Sequence, residues 1–352
     1  MKTQYKQLTI YYFSGTGNAK HCAAWICETA DRLGIKSDMI DISKTEVGSI
    51  IPPSAGTLVG FCSPTHGFHF PEITRKFIFR FPSTAGADAF VLNTRAGVRL
   101  FKIVIPGLSG VLHYISSIIL MTKGYRITGL IPVDLPSNWI SLHPAIEQAG
   151  TEIIYEKQKI KVTGFAEKIL TGRPVYRALY DIVQDTIISP VTLGYILIGR
   201  FYISKSYFAS RKCSKCMRCI KECPVNAVSV VNGRMFWSWK CESCMHCMNI
   251  CPERAIETPH GFIIAFVYIV SITSSSAITY FITNFYTGPY HSWINNELIS
   301  LTIIYALALP FYFITYRIMH YLMRFRIIER IMTLTSLTHL KYWGRYKAPT
   351  KF

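Results

Sequence analysis

Eight of the eleven cysteines in this chain occur in two short runs that repeat the same spacing. The first run has cysteines at positions 213, 216, 219 and 223, and the second has them at 241, 244, 247 and 251. Each cysteine of the second run follows its counterpart by 28 positions (241 minus 213), and a proline follows each run, at Pro224 and Pro252. Two matched sets of closely spaced thiols require tight loops that bring several sulfur atoms to one place.

The spacing Cys-x2-Cys-x2-Cys-x3-Cys-Pro is the iron–sulfur ligand pattern of bacterial ferredoxins, in which the fourth cysteine of each run ligates the other cluster. It predicts two [4Fe–4S] clusters that pass single electrons. Structural zinc is the alternative, but it leaves this crossover unexplained. Within the second run, His246 is either a hydrogen-bond donor to a cluster sulfur or an exposed loop residue. The predicted ligand sets are Cys213, Cys216, Cys219 and Cys251 for the first cluster, and Cys241, Cys244, Cys247 and Cys223 for the second.

The amino-terminal region predicts a strand, a loop of small residues and a helix. Residues 8–18 read LTIYYFSGTGN, and apolar residues then recur at helical spacing up to Leu33, before Gly34. Backbone N–H groups and the helix dipole face such a loop, so it predicts an anion site. The loop lacks the lysine of the GxxxxGK[ST] motif, which argues against nucleotide hydrolysis.

Further strands are predicted at about 35–42, 57–62, 89–94 and 125–133. Five strands alternating with helices predict an α/β, doubly wound parallel sheet with flavodoxin-like order. In that fold the ligand lies at the carboxyl ends of the strands. The segments expected there are FSGTGN, CSPTHGFHF, NTRAG and LPSNW, whose glycines, aromatic rings and amides suit a flavin.

With these motifs followed by the eight-cysteine region, the chain resembles the flavodoxin–ferredoxin fusion proteins of bacteria and archaea over roughly residues 8–257. The resemblance implies FMN in the first domain and a small α+β ferredoxin domain after it. Family members often carry an aromatic residue and a glycine pair where this chain has Arg95 and Ala96, so Arg95 is either a cation beside the flavin or a solvated surface residue. The implied FMN-binding residues are Ser14, Gly15, Thr16, Gly17, Asn18, Ser63, Pro64, Thr65, His66, Gly67, Phe68, Asn93, Thr94, Arg95, Gly97, Asn138 and Trp139.

Two apolar runs near the carboxyl terminus predict a transmembrane hairpin. Residues 262–286 and 298–316 carry no charge and are long enough to cross a bilayer. The segment between them has no lysine or arginine, whereas eight follow from Arg317 onward, which places both termini in the cytoplasm. The alternative is two buried helices of a soluble domain.

Two other apolar stretches, 103–121 and 187–198, either pack as domain helices or lie in the membrane interface. We attribute much of the net charge of +18 to contact with anionic lipid. No nucleic-acid recognition module is evident, so we expect no nucleic-acid partner. The expected organisation is a flavodoxin-like domain (1–175), an apolar connecting segment (176–205), a ferredoxin domain (206–258), a transmembrane hairpin (259–323) and a basic cytoplasmic tail (324–352).

These features predict an electron carrier anchored in the cytoplasmic membrane rather than a stand-alone enzyme. No GxGxxG motif follows a strand, so no NAD(P) site is evident. The expected donor is a soluble ferredoxin or a reductase, and the expected acceptor is a quinone or a membrane-bound enzyme. The alternative is a flavin-dependent reductase in which residues 103–121 line a site for a quinone or lipid.

Overall fold

The computed structural model describes residues 4–100, 103–285 and 297–350, and the chain forms two compact units. The first unit comprises Met1–Leu193, Cys244–Asn249 and Arg345–Phe352. The second comprises Gly194–Ser243 and Ile250–Gly344. Six residues of the second cysteine run therefore belong to the first unit.

A parallel sheet of six strands forms the centre of the first unit, and a short seventh strand pairs antiparallel with the carboxyl-terminal end of one central strand. The spatial order β2-β1-β3-β4-β6-β7 confirms the predicted flavodoxin-like arrangement, and β5 pairs with β4. The strands predicted at 57–62, 89–94 and 125–133 are mostly buried, whereas the strand predicted at 35–42 is mostly exposed or half-buried. The strands are β1 (Gln7–Tyr12), β2 (Lys36–Asp41), β3 (Thr57–Pro64), β4 (Asp88–Leu100), β5 (Ile103–Ile105), β6 (Arg126–Pro136) and β7 (Val175–Tyr176).

Helices cover both faces of this sheet, and each face has its own hydrophobic core. Trp25 and Tyr155 pack on one face, whereas Phe77, Phe81 and Leu120 pack on the other. Fully burying one such side chain contributes about 1.5–3 kcal/mol. The helices are α1 (Asn18–Arg32), α2 (Glu72–Arg80), α3 (Leu112–Thr122), α4 (Gln148–Leu170), α5 (Ile182–Ile187) and α6 (Ser189–Gly194).

The apolar stretch 103–121 forms β5 and most of α3. Leu112 and Leu120 are fully buried, so α3 packs as a domain helix. Its other face exposes Ile115, Ile118 and Met121, at 41%, 57% and 54%. The hydrophobicity of α3 therefore serves a core on one side and leaves an apolar surface on the other.

The second unit contains two small antiparallel strand pairs and a helical region. Strands β9 and β10 form one pair, and β8 and β11 form the other. The elements are α7 (Arg200–Ser204), β8 (Phe208–Ala209), α8 (Arg218–Lys221), β9 (Val228–Val231), β10 (Arg234–Trp237), α9 (His246–Ile250, mostly in the first unit), β11 (Ile256–Glu257), α10 (His260–Phe285), α11 (Glu297–Leu322) and α12 (Arg326–Leu334).

Helices α10 and α11 cover most of the two predicted spans and pack against each other through Phe266, Ile304 and Tyr312. Within the described residues, one helix, Thr302–Leu322, is long and apolar enough to cross a membrane. A second span is counted only if the bent pair Arg177–Ile187 and Ser189–Ser204 acts as one, and His260–Thr273 is a shorter apolar helix. The predicted loop between the spans lies mostly at 286–296, outside the described residues.

Candidate functional site

The first predicted loop, Ser14–Asn18, joins β1 to the amino terminus of α1. Gly17 has a φ of 110°, a left-handed conformation that favours glycine, and its N–H donates to Ser14 Oγ at 3.1 Å. Gly17 provides no side-chain cap for α1, so backbone N–H groups of the first turn need another acceptor. With the Ser14 and Thr16 hydroxyls beside them, these donors fit a phosphate group.

The second and third loops are joined by hydrogen bonds. The Thr65 N–H donates to Thr94 O at 2.8 Å, and Asn93 Nδ2 donates to Thr65 Oγ1 at 2.7 Å. Asn93 Oδ1 lies 2.7 Å from His113 Nε2, an interaction that the sequence did not indicate. The remaining predicted residues lie in the same two segments. Ser63 lies within hydrogen-bond distance of Thr74, and Pro64 is the last residue of β3. His66 and His69 exchange backbone hydrogen bonds, Gly67 and Phe68 have positive φ, and Gly97 lies on β4.

Arg95 is buried in an ion-pair network. Its Nε lies 2.7 Å from Asp134 Oδ1 and its Nη1 lies 2.6 Å from Asp181 Oδ2. The alternative of a solvated surface arginine is therefore wrong, because the side chain is buried and pairs with carboxylates on β6 and in a segment 86 residues away. Burial opposes the charge, but Asp134 and Asp181 hold the pKa of Arg95 above its usual value. Burial and the charge of Arg95 lower the pKa of His113 to about 3.

The segment predicted to cap the site reaches both the first and the second loop. Asn138 Nδ2 donates to Thr16 Oγ1 at 2.9 Å, and the Trp139 ring lies 5.6 Å from the ring of His66. The side chain of Asn18 already has a partner in the protein, because its Nδ2 donates to Pro136 O at 2.9 Å. Its backbone N–H, rather than its amide side chain, is thus the group that can face a phosphate. All four predicted segments meet at the carboxyl ends of the strands.

The second cysteine run contacts the first loop directly. A Cβ at Gly15 would lie 2.3 Å from the carbonyl oxygen of Cys244, so only glycine permits this approach. His246 Nδ1 lies 2.6 Å from Gly15 O, and Asn138 Nδ2 donates to Cys244 O at 3.3 Å. The expectation of an exposed loop histidine at 246 is wrong, because the contact with Gly15 leaves this side chain only partly accessible.

The carboxyl-terminal residues of the first unit also pack on the loop. The Ala348 N–H donates to Thr16 O at 3.0 Å, and the hydroxyls of Tyr155 and Tyr346 both donate to Asn18 Oδ1. Tyr346 is 2% exposed. The sequence predicted a basic tail here, and its charge concealed the aromatic residue that holds this segment on the first loop.

The four predicted ligands of the first cluster, Cys213, Cys216, Cys219 and Cys251, line one cavity in the second unit. This is the combination that the crossover pattern predicts. Burial, followed by the neighbouring Cys213 and Cys251, raises the pKa of the Cys219 thiol to about 11. The donor set of four thiols around one space fits a cubane cluster. Among the described residues, no three His, Cys, Asp or Glu side chains are close enough together to hold a single metal ion.

Corresponding cysteines of the two runs receive corresponding backbone hydrogen bonds. The Ala227 N–H donates to Cys223 Sγ at 3.2 Å, and the Ala255 N–H donates to Cys251 Sγ at 3.3 Å. N–H groups directed at sulfur stabilise thiolates and tune a bound cluster. Of the predicted second-cluster ligands, Cys223 and Cys241 belong to the second unit, and Cys244 and Cys247 belong to the first.

Residues 212–256 match the family described as the 4Fe–4S dicluster domain. The match includes both cysteine runs, and the chain therefore contains an iron–sulfur domain of this class. No curated protein sequence is significantly similar to the chain.

Solved flavodoxins are similar to the amino-terminal half. A short-chain flavodoxin associated with a non-canonical PDU bacterial microcompartment is 17% identical, with 46% of this chain and 95% of that chain covered and a TM-score of 0.32. Flavodoxin 1 from Bacillus cereus is 17% identical, with 44% and 97% covered and a TM-score of 0.29. A flavodoxin from the domain Archaea is 16% identical, with 46% and 98% covered and a TM-score of 0.29. At these scores the fold assignment rests on the strand order.

Proposed function

We propose that this protein transfers electrons between FMN, bound at the carboxyl ends of the parallel strands, and two [4Fe–4S] clusters. The observation that carries the proposal is the contact of Cys244, a predicted cluster ligand, with Gly15 of the predicted phosphate loop. FMN exchanges one or two electrons, whereas cubane clusters exchange one. A carrier with both groups in one chain can divide electron pairs into single electrons.

The residues of the first unit have three tasks in this scheme. The Ser14–Asn18 loop binds the phosphate with backbone N–H groups and hydroxyls. The buried network of Asn93, Arg95 and His113 fixes the third loop. Trp139, held near His66, limits the access of water to the flavin.

Exposed apolar side chains support anchoring of the protein in a membrane. Helix α11 exposes Leu307, Phe311, Ile314 and Ile318, which recur every three or four residues and so form one face. Exposed apolar residues on α10 include Ile264, Tyr268 and Ile269. A helix that is buried in a soluble core does not present such a face to water. Lipid chains are the environment that this face fits.

We further propose that α10 and α11 form a hairpin that spans the cytoplasmic membrane, with the redox domains and the basic carboxyl-terminal region in the cytoplasm. The distribution of lysine and arginine supports this orientation. Electrons would then enter from a soluble ferredoxin or reductase and leave to a quinone or membrane-bound enzyme. The absence of a GxGxxG strand–helix motif from the sequence supports a protein donor rather than NAD(P)H.

Oxygen-free purification from membranes tests the cofactor proposal. We expect FMN, eight irons and eight labile sulfides per chain, the content of two cubane clusters, in a fraction that alkaline carbonate does not extract. Cys27→Ala is a matched control, because Cys27 is a buried cysteine outside both runs. A colourless protein without iron, sulfide and flavin would refute the proposal.

Direct reduction of a quinone or lipid is a second function, favoured by the apolar face of α3. His113, near the start of α3, bonds Asn93 of the third flavin loop, so this helix extends from the predicted flavin site. Turnover of a quinone analogue by purified protein, lost in Ile118→Asp but retained in Ile160→Asp, would support it. Ile160 is an exposed isoleucine on another helix.

A further inference from the structure

A basic cavity of about 320 Å³ lies in the second unit, outside the predicted cofactor sites but beside one of them. Eleven described residues line it, of which four are lysine or arginine and none is aspartate or glutamate. Cys213, a predicted ligand of the first cluster, is also part of its wall. The charged residues are Arg211, Lys215, Arg234 and Arg324.

Arg234 Nη1 donates to Ala209 O at 3.4 Å, and Arg211 is ion-paired with a carboxylate. Arg211 Nε lies 3.2 Å from Glu329 Oε2, and its backbone N–H donates to Glu329 Oε1 at 2.9 Å. Among the described residues, no carboxylate lies within ion-pair distance of Lys215, Arg234 or Arg324. Three positive charges around one space favour an anion, because each gains a charge-assisted hydrogen bond when the anion binds.

Uncharged groups in the wall also suit an oxygen-rich anion. Ser210 is 3% exposed, and its hydroxyl makes no hydrogen bond to any described residue. A buried hydroxyl without a partner costs free energy, which a bound acceptor would recover. The turn residues Asn232 and Gly233 complete this part of the wall, and a Cβ at Gly233 would meet no atom within 4 Å.

The position of the cavity identifies the source of the anion. Its residues Met323 and Arg324 directly follow Thr302–Leu322, the helix that is long and apolar enough to cross a membrane. The Arg324 guanidinium stacks on the rings of Tyr321 and Phe325, at 3.9 and 4.7 Å, and these rings are 46% and 49% exposed. Exposed aromatic residues beside arginine at the end of an apolar helix are typical of the level of lipid headgroups.

Helix α12, which follows, also combines exposed apolar residues with arginine. Ile327, Ile331 and Leu334 are 73%, 51% and 69% exposed and fall on one helical face, and Arg326 and Arg330 lie along one border of this face. Such a helix lies in the membrane interface with its apolar face toward the lipid chains. In the chain, the cavity residues Met323 and Arg324 thus lie between a candidate membrane span and an amphipathic helix.

We propose that this cavity binds the phosphate of an anionic phospholipid headgroup, next to the first iron–sulfur cluster. The inference rests on the membrane anchoring proposed above. A bound phosphate adds negative charge near Cys213, and negative charge favours the oxidised form of a cluster. The lipid therefore makes the midpoint potential of the first cluster more negative.

The test uses full-length protein with its clusters in neutral detergent, titrated separately with phosphatidylglycerol, diacylglycerol and inorganic phosphate. We expect one tightly bound phosphatidylglycerol and no comparable binding of the other two. The double variant Arg234→Gln, Arg324→Gln should bind phosphatidylglycerol at least about tenfold more weakly, since one lost charge-assisted hydrogen bond corresponds to that factor. Arg330→Gln, an exposed arginine outside the cavity, should bind like the wild type.

Lys215→Gln provides a second variant with an exposed side chain, in case the double variant does not retain iron. Addition of phosphatidylglycerol should lower the midpoint potential of the first cluster in the wild type and in Arg330→Gln, with a smaller shift in Lys215→Gln. Equal affinities in all variants, or equal binding of diacylglycerol, would overturn the proposal. If inorganic phosphate bound as tightly as the lipid, the ligand of the cavity would be a free anion and the lipid proposal would be wrong.

Flotation with phosphatidylcholine vesicles tests the anchor separately. Protein that floats but does not bind phosphatidylglycerol in detergent refutes only the cavity proposal. Protein that does not float refutes the anchor, while the detergent titration still decides whether the cavity binds the lipid.

Discussion

The two cysteine runs have the same spacing but occupy different surroundings. The predicted ligands of the first cluster all belong to the second unit, where they line one cavity. The predicted ligands of the second cluster are divided, because Cys244 and Cys247 belong to the first unit and Cys244 contacts Gly15. Cys244 of the second run thus lies at the predicted flavin loop and Cys213 of the first run lies beside a basic cavity, so we expect different roles in electron transfer.

Substitution of a single cysteine ligand should have the largest effect, which is the loss of a whole cluster. Cys251→Ser should remove the first cluster, and Cys223→Ser should remove the second, because each fourth cysteine serves the opposite run. Iron and sulfide analysis should show about half of the wild-type content in either variant, and the two should differ in their remaining electron paramagnetic resonance signal. Loss of the same cluster in both variants would contradict the crossover.

A methyl group at the first loop should separate the second cysteine run from the flavin site. Gly15→Ala places a Cβ 2.3 Å from Cys244 O, and overpacking of this kind costs about 1–3 kcal/mol. We expect weaker FMN binding and slower electron transfer from flavin to cluster, measured by fluorescence titration and stopped-flow absorbance. Gly48→Ala is the matched control, because no atom lies within 4 Å of a Cβ there. Equal effects of both substitutions would argue against the contact.

Acid should weaken the first unit. Burial lowers the pKa of His69 to about 4, and burial together with Arg95 lowers that of His113 to about 3. Below the ordinary histidine pKa of about 6.5 the unfolded chain binds protons that the folded unit does not, so stability is lost as the pH falls from about 6.5 toward 4. Each histidine contributes up to about 1.4 kcal/mol per pH unit in this range.

Denaturant unfolding between pH 7 and pH 4.5, followed by flavin release, measures this loss. His113→Gln should flatten the pH dependence, because it removes a buried histidine that stays neutral in the folded unit. A stability that is independent of pH in the wild type would contradict the burial of neutral histidines.

The smallest expected effect concerns His246. His246→Ala removes the interaction with Gly15 O at 2.6 Å, and a single hydrogen bond contributes about 0.5–1.5 kcal/mol. Electron transfer from flavin to cluster should slow by less than in Gly15→Ala, with unchanged iron content. A faster transfer or a loss of iron would show that His246 acts on the cluster rather than on the loop.

Local sequence signals predicted the elements of this fold but not their long-range partners. The β-branched strands and the glycine loop are encoded by neighbouring residues, and the strand positions agree with the structure. The partners of Arg95 lie 39 and 86 residues away, and no local pattern links Arg95 to Asp134 and Asp181. The contact of Tyr346 with Asn18 spans 328 residues and was concealed by the basic composition around it.

The central proposal is that FMN exchanges electrons directly with the second cluster, because Cys244 contacts Gly15 of the predicted phosphate loop. Time-resolved absorbance after light-driven reduction of the flavin in oxygen-free protein tests it most directly. We predict a fast phase of cluster reduction in the wild type and in Cys251→Ser that is lost in Cys223→Ser. A fast phase that survives in Cys223→Ser, or that disappears in Cys251→Ser instead, would contradict the account.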